Sequence, residues 1–209
     1  MKLQDFTIRN THPEEVDEFI DILEEAAEWL HSNNIKQWPL GMFRNPASRA
    51  SMLTGIANKQ YYTIDYHLPL SSGTGTGTTT KTVIAGLFVT NYEDSFDELL
   101  WNEYLASQGK DWRDALYLHR LVLKTPFKGC GLTPKIVEFV EGKVQESGRH
   151  FLRLDCLAGN ERLRKFYRTK CRGVDGEGKE KGGLNELPTV WNLELGLEFA
   201  RFELQVVPF

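Results

Sequence analysis

Residues 128–133, Lys-Gly-Cys-Gly-Leu-Thr, set two glycines two apart between an apolar run, "LYLHRLVLK", and a run of helical period, "KIVEFVEGKV". A helix start leaves backbone N–H groups unpaired and carries partial positive charge. Glycine lets an anion approach those groups closely. The turn can therefore cradle a phosphate or pyrophosphate, and it also has the composition of a plain tight turn. It is not a Walker loop, because no Gly-Lys-Ser/Thr follows. It makes a poor dinucleotide fingerprint, because the third glycine and a well-placed ribose acid are missing. Upstream, period two on the apolar run puts Tyr117, His119 and Leu121 on one side and Arg120 on the other. A histidine titrates near neutrality, so His119 can move a proton or simply pack. Downstream, Asn160 and Tyr167 lie two helical turns apart along one face. Each also has a plain role, Asn160 as a helix N-cap and Tyr167 as an amphipathic core residue. Residues 91–107 carry Glu93, Asp94, Asp97, Glu98 and Glu103 without Lys or Arg. Such a stretch either lines a site for a cation or forms a solvated helix face.

The elements that must position these residues follow from periodicity. "FTIRN" (6–10) reads as a strand. Residues 11–34 read as a helix, with Val16, Phe19, Ile20, Leu23, Ala27 and Leu30 on one apolar face. A weaker helix spans 45–60. Strands are expected at 61–68, 82–90, 115–124, 151–159 and 197–207. Helices are expected from about Ser95, from the glycine turn to about Ser147, and after Asn160. Two segments, about 70–81 and 172–190, are rich in glycine and polar residues and read as flexible loops. Strands alternate with helices, so the fold class is α/β, with helices on both sides of a sheet. No composition break marks a boundary, and residues 1–209 read as a single domain.

Composition narrows the function classes. The 209 residues are 41% hydrophobic and 26% charged, as in globular proteins, with net charge −4. That balance gives no electrostatic case for nucleic acid or an anionic membrane. No apolar run approaches a membrane span of about 20 residues. The N-terminal "MKLQDFTIRN" lacks the apolar region of a signal peptide. Cys130, Cys156 and Cys171 form no Cys-x-x-Cys pair and read as reduced thiols of a cytoplasmic protein. His12, His31, His67 and His150 show no metal-ligand spacing, so no metal is expected.

The glycine turn followed by "LRLDCLAGNERLRKFY" resembles the GNAT superfamily of acyl-CoA-dependent N-acetyltransferases. "LHRLVL" before the turn and "IRNTHPEEVDEFIDILEEAAEWLHSNNIKQW" at the start add to the likeness, which covers about two thirds of the chain. The resemblance implies a mixed, twisted and splayed sheet with helices on both faces. It implies acetyl transfer from acetyl-CoA to a primary amine, on a small molecule or a peptide, by direct attack in a ternary complex. By resemblance, Lys128, Gly129, Cys130, Gly131, Leu132 and Thr133 cradle the pyrophosphate of CoA. The strand end, Leu121, Val122 and Leu123, holds pantetheine through backbone groups, and Asn160 contacts the same arm. Tyr167 matches the family tyrosine that donates a proton to the leaving sulfur. His119 is the candidate base, because an amine that is cationic at neutral pH must lose a proton before it attacks. Glu103, the acid nearest that strand in sequence, competes for the role. Residues 29–41, where such enzymes build the acceptor wall, carry Trp29 and Trp38; they line that wall or pack. A monomer or homodimer is expected.

Two residues depart from the family motif. Lys128 stands where Gln or Arg is usual, and Thr133 with Pro134 stands where the last Gly or Ala is usual. Proline offers no N–H to a phosphate, although it suits the first turn of a helix. The departure leaves a non-catalytic acyl-CoA-binding or sensing domain as the alternative function. An unrelated α/β nucleotide-binding module is a second alternative.

Overall fold

The computed structural model describes residues 2–70, 79–174 and 177–206. Seven strands form an open mixed sheet, and the chain divides into two compact units. The first unit comprises Met1–Val89 with Arg120–Cys130, and the second Thr90–His119 with Gly131–Phe209.

In the first unit, β1 (Phe6–Asn10) pairs antiparallel with β2 (Tyr61–Leu70), Phe6 opposite Tyr66. β2 pairs antiparallel with β3 (Thr79–Asn91), with a register shift at Ile64/Asp65. The end of β4 (Ala115–Leu123) lies beside β3, where the Lys124 N–H donates to the Ala85 carbonyl at 2.9 Å. Gly86 makes that approach possible, since a Cβ there would stand 2.4 Å from the Val122 carbonyl oxygen. α1 (Val16–Ser32) and α2 (Pro46–Ala57) bury one stripe each. Phe19, Ile20, Leu23 and Ala27 of α1 pack with Met52, Ile56 and Tyr61 in one core. Each large apolar side chain so buried contributes about 1.5–3 kcal/mol. Glu24 is also buried, and its carboxylate accepts from the N–H groups of Gly41 and Phe43 at 2.9 and 2.6 Å. The loop after α1 is thereby fixed by an acid from within the helix.

In the second unit, α3 (Ser95–Ser107) is capped by Asp94, which accepts from the Phe96 N–H. The first half of β4 runs parallel to β5 (Phe151–Leu157), and β5 pairs antiparallel with β7 (Leu197–Gln205). β6 (Asn185–Asn192) pairs antiparallel with β7, giving the order β4-β5-β7-β6. α4 (Leu132–Glu146) joins β4 to β5, and α5 (Glu161–Thr169) follows β5. Arg153 is fully buried between Trp101, Tyr117 and Glu203 on the α3 side of this sheet. Tyr167 packs on Phe202 on the opposite side, the rings tilted at 57° with 5.3 Å between centroids.

β6 corrects the expected loop at 172–190, whose last residues are a strand. Asn185, Glu186 and Pro188 have little intrinsic strand preference. They pair because β7, which follows after residues 193–196, folds back antiparallel and offers its edge, as between Glu186 and Phe202. The other expected loop, 70–81, falls largely on residues 71–78, outside the described residues. Its end, Thr79–Lys81, belongs to β3 and pairs with Leu70, Pro69 and Leu68.

Candidate active site

The glycine turn has the backbone its sequence suggests. Gly129 and Gly131 lie in the left-handed region, at φ +79° and +81°, which side chains other than glycine rarely adopt. Gly131 is the N-cap of α4, and the first turn of that helix carries no acidic residue. Cys130 turns its thiol back to donate to the Phe127 carbonyl at 2.7 Å. Leu132 and Thr133 open the helix, and Pro134 is its third residue. A helix does not use the N–H at that position for its own bonds, so Pro134 costs α4 nothing and removes one donor from the turn.

Before the turn, within the first unit, a cavity of about 330 Å³ separates α1 from the end of β4. Val122, Leu123 and Lys128 line it with Ile22 and Trp29. The Lys128 ammonium lies 5.0 Å above the Trp29 ring. Leu121 is half-buried beside these residues in the chain. Of the two tryptophans, Trp29 lines the cavity, while Trp38 packs edge-to-face on Phe43.

Within the second unit, β4 and β5 match over three residue pairs, Ala115 with Phe151, Leu116 with Leu152 and Tyr117 with Arg153. Beyond Tyr117 the two strands part, while β5 stays paired to β7 through Leu157 opposite Phe199. His119 stands just past the parting. Its Nε2 is 3.0 Å from Asp97 Oδ2, and its Nδ1 is 4.0 Å from Asp155 Oδ1. Tyr117 stacks on the same face of β4, as period two requires. Asp97 is fully buried, and its second oxygen has no hydrogen-bond partner among the described residues. Burial pushes its carboxyl pKa up, against the opposing pull of His119. Asp155 is pushed up to about 6, again mainly by burial. Ligand-type atoms of the three residues lie within 4.8 Å of one another, which suits a shared proton or a small cation. The existing His119–Asp97 hydrogen bond favours the proton.

Tyr167 sits on α5 with its hydroxyl pKa pushed far up by burial, so it stays a proton donor at neutral pH. Asn160 caps the same helix, its Oδ1 accepting from the Leu163 N–H at 3.1 Å. A neighbouring segment braces the tyrosine: the Leu184 N–H donates to the Tyr167 carbonyl at 2.8 Å. A Cβ on Gly183 would meet that carbonyl at 2.1 Å.

Glu103 is exposed on α3. It follows Asp97 by six residues, which at about 100° per residue turns it away from the face that carries Asp97. Asp97 is thus the carboxylate that meets His119, and it was hidden in the acidic stretch. Its position three and four residues ahead of Leu100 and Trp101, which puts it on their face of the helix, was the available signal.

The fold is that of the GNAT acetyltransferases. A GNAT-family acetyltransferase from Listeria monocytogenes 4b F2365 superposes with a TM-score of 0.60 at 21% identity, covering 96% of this chain and 94% of that one. YncA of Salmonella typhimurium, a putative acetyltransferase solved with acetyl-CoA, gives a TM-score of 0.56 at 13% identity, covering 98% and 95%. In sequence, the chain is similar to the uncharacterized N-acetyltransferase YesJ of Bacillus subtilis, 23% identical over 155 residues and 74% of each chain. No protein-family profile matches the chain. Among the described residues, no helix is long and apolar enough to cross a membrane.

Proposed function

We infer that the protein is an acyl-CoA-dependent N-acetyltransferase, a single catalytic domain that moves an acetyl group from acetyl-CoA to a primary amine by direct attack. The observation that carries this is the parting of β4 from β5 after Tyr117–Arg153, with His119 held by Asp97 at the opening. The acetyl-CoA in the YncA structure and the N-acetyltransferase name of YesJ support the same chemistry.

In this function the left-handed turn at Gly129 and Gly131 and the start of α4 hold the pyrophosphate, with Lys128 adding charge. Backbone groups of Leu121–Leu123 and the Asn160 side chain hold pantetheine. His119 takes a proton from the amine, directly or through one water, and Asp97 orients the imidazole and stabilises its charged form. The amine nitrogen then bonds to the thioester carbon. The carbon–sulfur bond breaks, and Tyr167 donates its proton to the departing sulfur. The buried thiols of Cys156 and Cys171, pushed up to about 12 and 11, take no part and suit a reducing, cytoplasmic setting.

An acceptor panel with acetyl-CoA, read as free thiol release, tests the proposal. Release that depends on one class of amine is the expected result. CoA binding without release from any amine would favour the acyl-CoA-sensing alternative, which the loss of one donor at Pro134 keeps open.

A further inference from the structure

Arg120 breaks the extended backbone of β4. Its φ is +50°, in the left-handed region that a non-glycine residue occupies only under constraint. The twist sends its guanidinium into the first unit, where it lies 5.5 Å from the Phe43 ring and donates through one nitrogen to the Tyr61 hydroxyl at 3.0 Å. Neither contact neutralises it. Arg120 makes no ion pair with any described residue, although it is half-buried. Three acids of α1 are engaged elsewhere: Asp17 with Arg49, Asp21 with Arg44, and Glu24 with the Gly41 and Phe43 amides.

The guanidinium faces a cavity of about 260 Å³, lined by Phe43, Met52 and the first turns of α2 at Ser48 and Ser51. No carboxylate lines that cavity, and the first turn of α2 carries no acid. Its N-terminal partial charge therefore adds to that of Arg120. The wall is rigid because Glu24 ties down the loop that bears Phe43. A planar fork with most of its donors unused, over a cavity this small, matches a carboxylate on a short molecule. A nucleotide would not fit.

We propose that this cavity binds a carboxylate and that the acceptor is accordingly an amine bearing a carboxylate, of the amino-acid class. The assignment of the ligand as acceptor rests on the acetyltransferase function proposed above.

Acceptors are tested in pairs that differ only in carboxylate or carboxamide, each amino acid beside its amide. The amide has the more acidic ammonium and is more often neutral, so chemistry alone favours the amide. The kcat/KM ratio of acid to amide is expected to be about tenfold or more in the unmodified protein, the scale of a charge-assisted contact. It should fall towards one in Arg120→Met and recover in part in Arg120→Lys, which restores charge without the fork. Ser51→Asp, which brings a like charge to the exposed rim, should lower the ratio if Arg120→Met does not fold. A ratio near one in the unmodified protein, or one that survives these variants, overturns the proposal. If no amine is acetylated, the proposed acetyltransferase function falls separately. The cavity is then judged by titrating N-acetylglycine and following the Ser48 and Ser51 amide resonances. Saturable shifts lost in Arg120→Met support a carboxylate site; their absence overturns it.

Discussion

Asp97 Oδ2 lies 3.0 Å from His119 Nε2, and the carboxylate that holds the imidazole has no exposed surface. A buried acid in this position fixes the tautomer and stabilises the imidazolium. Asp97→Asn keeps the shape and removes the charge. It should lower kcat about 10²-fold or more. The acidic limb of kcat/KM should move to lower pH, because the lost negative charge had favoured the protonated ring. His119→Ala should flatten that limb altogether, and Glu103→Gln should leave it in place. A limb unmoved in Asp97→Asn would reduce the pair to a packing contact.

Tyr167→Phe keeps the ring against Phe202 and removes the proton. Its kcat should drop about 10²-fold or more, the scale of a lost general acid. The rise in melting temperature on adding CoA should stay as in the unmodified protein. Near-normal turnover would mean that the sulfur leaves without Tyr167.

Binding to native protein raises its melting temperature by mass action. CoA should do so here, and Gly131→Glu should abolish the effect by placing bulk and negative charge at the N-cap of α4. Gly131→Ala is the control. It suffers the left-handed strain of φ +81°, at about 1–2 kcal/mol, without adding charge. It should melt lower and still respond to CoA. Failure of the unmodified protein to respond at millimolar CoA would argue against the cradle.

Asp155 gives a stability test. Its folded pKa of about 6 is raised above the ordinary 3.8, so the ionised form is the disfavoured one. Its contribution to stability is complete below about pH 4 and is lost as pH rises through about 6. Asp155→Asn should therefore stabilise the protein at pH 7.5, by at most about 3 kcal/mol. At pH 4 it should change little. Denaturant melts at the two pH values separate this from packing, which would shift both alike.

Much of the fold was legible from periodicity. The apolar face of α1 and the runs around His119 and Cys156 read directly as elements. The glycine turn was legible as well, because φ above zero leaves a compositional trace. β6 was not, since its residues pair only through an edge supplied by β7. Asp97 was not separable from Glu103 by type, because both lie in one acidic helix. Which of them turns inward depends on where α3 packs, a tertiary fact. Nothing in the neighbours of Arg120 foretold its left-handed twist.

Gly183 lies in a stretch with neither helix nor strand, where substitutions are ordinarily harmless. Its contact with the Tyr167 carbonyl leaves no room for even a methyl group. In a saturation screen, Glu180 and Lys181 nearby, both exposed, should accept most replacements. Position 183 should accept none, behaving like the deepest interior of the molecule while sitting in one of its least regular segments.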